Sequence, residues 1–157
     1  MGVKESFTDA EWKNLQELPY AVGMVVIFAS PSGPWGLYQE SKELFQEPFK
    51  LASQSGSSGL VSALAVELQP RAKDVMKEQQ EAIKHSSPEA FKIKTLDACK
   101  SAAAALSKTT AEEAAAYKRW VLDLGRKVAQ AAKEHGVSVT PQEEAALGEI
   151  STALGKT

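Results

Sequence analysis

The stretch TAEEAAAYKRWVLDLGRKVAQAA, residues 110–132, decides the fold class. Thr110 stands three residues before Glu113, the spacing at which a hydroxyl accepts from a backbone N–H one turn on while the carboxylate reaches back to the Thr N–H. Two of the donors that every helix start leaves orphaned are satisfied in this way. Behind the cap, Tyr117, Val121, Leu124, Val128, Ala131 and Ala132 recur three to four apart, so one side of a long helix is apolar, and Gly136 is its expected left-handed stop. The same start signal recurs at Thr8/Glu11 and Thr140/Glu143, each ahead of apolar residues at helical spacing. The chain therefore reads as all-α.

Working outward, Trp12, Leu15, Pro19, Val22, Val26 and Ala29 form one helical face carried through a proline, where a kink or a very short break is expected. Val22 to Phe28 is apolar on every side and should be the most buried helix of the domain. Two prolines and two glycines between Ser30 and Gly36 permit only loop. A helix from about Pro34 to Ser53 follows, then a Ser/Gly turn, then a stripe of Val61, Leu64, Ala65 and Leu68 that Pro70 bends or splits. Val75, Met76 and Ile83 continue it more thinly. Ser87-Pro88 opens a further helix with Phe91, Leu96, Cys99, Ala103 and Leu106 expected inward, and a last helix runs from Pro141 to Leu154 and stops at Gly155. No internal repeat is evident. One domain, residues 1–157, built as a compact bundle of six or seven helices, is the expected architecture.

Composition bounds the function. The 157 residues are enough for a core without a staple, and a formal net charge of −2 gives no reason to expect nucleic acid or an anionic membrane as partner. Cys99 is the only cysteine and stands in an Ala-rich helix, which reads as a small core residue in a reducing compartment. The longest apolar run, Leu18 to Ala29, is shorter than the roughly 20 residues a bilayer requires and follows no basic leader, so a cytoplasmic protein is expected. Met1-Gly2 with Ser6 has the form of an acylation signal, without the polybasic stretch that would make it a stable anchor.

Signatures of chemistry are missing. A di-metal bundle needs Glu-x-x-His on facing helices, and here His85 and His135 are isolated at helix ends, where a cation complements the dipole. No metal or cofactor is expected. There is no Gly-x-Ser-x-Gly elbow, no base beside Cys99, and no Lys-Ser/Thr after Ser55 to Gly59 to make a phosphate loop of that turn. The feature that suggests recognition is the loop Ser30 to Gly36. Pro31 and Gly33 rigidify it, and Trp35 and Tyr38 offer large contact area with little entropy left to lose.

Two resemblances follow from longer stretches. The run from Phe7 and Trp12 through Pro19 to Met24 and on to Ala29-Ser30-Pro31-Ser32-Gly33 is similar to a group of small helical bacterial proteins with no established activity. The run Val139 to Leu154 resembles the final helix of tellurite-resistance TerB-like domains, which are compact and helical; that resemblance implies a metal-binding, stress-response role, although Ser30 to Gly36 carries no acid. The residues themselves favour a non-enzymatic domain that binds a protein partner or a small apolar ligand through Pro31, Gly33, Trp35 and Tyr38. A metal-binding protein or helical-bundle enzyme is the alternative. Alanine-rich faces at Ala102 to Ala105 and Ala111 to Ala116, with Val22 to Phe28, offer apolar surface for a homodimer.

Overall fold

A computed structural model describes residues 3–29, 42, 44–53, 59–131 and 141–155. Among them every regular element is helical: a short 3-10 turn (Val3–Ser6), α1 (Asp9–Ala29), α2 (residues 44–53), α3 (Gly59–Leu68), α4 (Ala72–Lys84), α5 (Pro88–Leu106), α6 (Ala111–Ala131) and α7 (Pro141–Ala153). The expected all-α bundle is what forms. None of these helices is long and apolar enough to cross a membrane.

The bundle is organised around α1, which packs against α3, α4, α5, α6 and α7. Its stretch from Val22 to Ile27 is buried all round, as an apolar run without a polar face must be. Part of the apolar surface that suggested a dimer is thereby used inside the chain. Ala102 and Ala105 are likewise buried against the core, and Ala114 and Ala116 partly so.

Pro19 neither breaks nor splits α1, which is helical from Asp9 to Ala29. A proline lacks the N–H that would bond the carbonyl four residues earlier, here that of Leu15. The Tyr117 hydroxyl on α6 donates to the Leu15 carbonyl at 2.7 Å, in full burial. The helix thus stays intact because a side chain from a distant element replaces the missing donor. Nearby, Asn14 Nδ2 donates to the Ala98 carbonyl at 3.1 Å and ties α1 to α5.

Pro70 does split the chain, into a 3-10 turn (Gln69–Arg71) between α3 and α4. Arg71 pins that elbow to α1, with one guanidinium nitrogen 2.7 Å from Glu17 Oε2 and another donating to the side chain of buried Gln16. Of the three start signals, Thr8/Glu11 forms both halves of its box, at 2.8 and 3.1 Å. At Thr110, the hydroxyl accepts from Glu113 N–H at 3.1 Å, while the Glu113 carboxylate accepts from Gly59 and Leu60 N–H, each at 3.2 Å. One residue thereby caps the start of α3 as well as belonging to the start of α6. Thr140 lies outside the described residues.

Glu11 also accepts from Lys108 Nζ at 2.7 Å, and this bond, before that from the Thr8 backbone, holds its carboxyl below the usual carboxylate value. A depressed folded-state value means that the contribution is present above the ordinary carboxylate pKa and is lost as pH falls through the lowered one. Lys108→Ala is expected to return the Glu11 titration, followed by NMR, toward the ordinary value.

Candidate functional site

Cys99 is fully buried, and burial pushes its thiol up to about 12. It carries no thiolate at neutral pH and is a packing residue. A thiol reagent is expected to leave it unmodified in the native protein and to label it once the chain is unfolded. Tyr20 and Tyr117 are likewise raised by burial, and each hydroxyl is occupied by a backbone carbonyl, that of Phe45 and of Leu15. His85 is exposed and pairs with Glu81 at 3.3 Å. Among the described residues, no three His, Cys, Asp or Glu side chains gather as metal ligands would. His135 and the expected recognition residues Pro31, Gly33, Trp35 and Tyr38 lie outside the described residues.

The surface that stands out lies between α5 and α7. Ser87 caps α5, its hydroxyl accepting from Ala90 N–H at 3.1 Å, with Pro88 in the first turn. The helix then turns Phe91, Thr95, Cys99, Ala102 and Leu106 into the core. That face is rotated from the expected one. Leu96 and Ala103 are only half-buried, and Ile93 is 56% exposed. Ile93, Leu96 and Lys100 fall at i, i+3 and i+7, so two apolar side chains and a cation share one outward stripe.

Across from it, α7 buries Ala146, Leu147, Ile150 and the following Leu154, and leaves Ala145, Gly148, Glu149 and Thr152 outward. Gly155, with φ +89°, terminates the helix in the left-handed region. Between the two helices runs an open groove of about 620 Å³ lined by Leu96, Lys100, Ala145, Gly148, Glu149 and Thr152, among others. Lys92 Nζ meets Glu149 Oε1 at 3.1 Å. Both bridge residues also line a cavity of about 320 Å³ at the C-terminal end of α1, walled by Val25, Phe28, Pro88 and Ala146. Both partners are partly exposed, so the pair contributes on the order of 0–1 kcal/mol and can yield to a ligand.

Glycine gives the groove its meaning. In the middle of a helix, glycine costs about 1 kcal/mol against alanine, and a close approach by a neighbour is one reason for keeping it. At Gly23 a Cβ would lie 2.3 Å from Leu44, and at Gly125 2.6 Å from Leu147, so α2 and α7 account for those two. At Gly148 a Cβ would meet nothing within 4 Å. Gly148→Ala is therefore expected to raise stability by about 1 kcal/mol, read as a higher denaturation midpoint. Comparison with protein-family models, with curated proteins and with solved structures finds no match to this chain.

Proposed function

We propose that this domain is a non-catalytic protein-docking module, and that a helix of its partner lies in the groove between α5 and α7. The single observation that carries this reading is Gly148. It is a mid-helix glycine that lines the groove and faces open space, whereas the mid-helix glycines Gly23 and Gly125 each admit a packed neighbour. An approaching helix gains from small residues at the crossing and from an apolar flank, and Ala145, Gly148 and Thr152 with Leu96 supply both.

A photo-reactive residue in place of Thr152, exposed on α7 and lining the groove, tests the reading in living cells, with one at Lys73, exposed on α4, as control. A discrete adduct at 152 that is absent at 73 is expected. No adduct at 152, or equal labelling at both positions, contradicts it.

A small apolar ligand is the second reading, supported by the cavity of about 320 Å³ beside Val25, Phe28 and Pro88, which is at the lower end of ligand-pocket volumes. Saturable uptake of an apolar dye by the monomeric protein, lost on Ala145→Trp, would favour it. The metal-binding alternative is decided by elemental analysis of protein purified without tags or chelators, where stoichiometric metal would overturn the docking proposal.

A further inference from the structure

Resting on the docking reading of this groove, we infer that its occupant is a second copy of the same chain, joined about a two-fold axis so that each α7 lies against the α5–α7 groove of the other. The two edges of the groove differ in charge. On the α5 edge stands Lys100, which forms no ion pair among the described residues; on the α7 edge stands Glu149, whose bridge to Lys92 within the chain leaves it 46% exposed, and Glu144 is exposed on the same helix. A two-fold axis parallel to the groove sets the α7 edge of one copy against the α5 edge of the other, so each Lys100 faces the acidic edge of the other copy and the contact is made twice in the dimer. A groove acidic or basic on both sides would repel its own copy; this one is self-complementary. The net charge of −2 adds little long-range repulsion between two chains.

Size sets the strength. At 1.5 Å per residue α7 is about 20 Å long, and two neighbouring helices present a face about 20 Å across. A footprint of about 400 Å² on each copy, about 800 Å² in total, is below the roughly 1,000 Å² that a stable specific interface clears, so the dimer is weak, transient and concentration-dependent.

Light scattering of the full chain from about 1 μM to about 1 mM tests this, with the mass expected to rise from 16.9 kDa toward twice that value. Gly148→Arg, whose side chain enters open space in the monomer, is expected to hold the mass at 16.9 kDa without lowering the melting temperature. The decisive variants are Lys100→Glu and Glu149→Lys. Each alone places like charges across the interface twice and is expected to stay monomeric, whereas an equimolar mixture restores both attractions and associates.

A wild-type mass constant at 16.9 kDa over the whole range overturns the second copy as occupant. The docking reading then stands or falls separately, on whether position 152 yields an adduct of another mass. A dimer indifferent to Gly148→Arg, or variants that fail to associate on mixing while each retains its fold, overturns the proposal as well, because the interface then lies elsewhere.

Discussion

Tyr117→Phe is expected to cost about 1–3 kcal/mol of stability, and Tyr117→Ala about 3–5 kcal/mol. The first removes only the hydroxyl, which donates at 2.7 Å to the Leu15 carbonyl in a fully buried site. That carbonyl has no helical donor because residue 19 is proline, so it is left with the full desolvation penalty of an unmet acceptor. The second substitution adds the loss of a large core side chain that also packs edge-on against Trp120 at 5.9 Å between ring centres.

The cause can be separated from ordinary packing by a double-mutant cycle. Pro19→Ala returns an N–H to the helix, and in that background Tyr117→Phe is expected to cost clearly less. A coupling of about 1 kcal/mol between the two positions, from urea denaturation of the four proteins, is the expected result. Strict additivity would mean that Tyr117 does not substitute for the missing donor.

Gly23→Ala is expected to destabilise by about 1–3 kcal/mol, although alanine is the better helix former by about 1 kcal/mol. The new methyl carbon would stand 2.3, 2.8 and 3.0 Å from three carbons of Leu44, which is itself fully buried. The side chain of Leu44 must take another rotamer within the core or α2 must shift away from α1. In a Leu44→Ala background the penalty should vanish and the helical preference for alanine should emerge. The opposite signs expected for Gly23→Ala and Gly148→Ala are the sharpest consequence of the difference in their surroundings. The denaturation midpoints of the two variants and wild type are enough to read them.

The helices themselves were legible in the sequence because caps and stripes are local. Thr8/Glu11, Ser87-Pro88 and Gly155 mark ends whose hydrogen bonds or φ the structure bears out. That α1 carries on through Pro19 was one of two readings the sequence offered; the compensating donor was not legible, since it lies 102 residues away in the chain. The inward face of α5 was misplaced for a related reason. Leucine outranks threonine on any hydropathy argument, so Leu96 was expected inward, yet Thr95 is the residue buried, on the stripe that joins Phe91 to Cys99 and Leu106. Spacing from those three anchors was the signal that could have corrected it.

The groove was hidden from sequence reading altogether. A glycine in a helical pattern says only that something approaches closely or that nothing penalises it; whether a neighbour is present is a tertiary fact. Gly23, Gly125 and Gly148 look alike in the sequence and differ only in what stands within a few ångströms. The loop with Trp35 and Tyr38 lies outside the described residues and remains a sequence expectation.

The central claim is that the face between α5 and α7 receives a protein helix, and a blocking experiment tests it most directly. A photo-reactive residue in place of Thr152, exposed and lining the groove, leaves Gly148 itself unchanged. It is introduced into otherwise unchanged protein and into protein carrying Gly148→Arg, at matched expression in cells. The expected result is a discrete adduct in the first and its loss in the second, with equal melting temperatures for the two. An adduct that persists undiminished when the arginine fills the groove would contradict the claim.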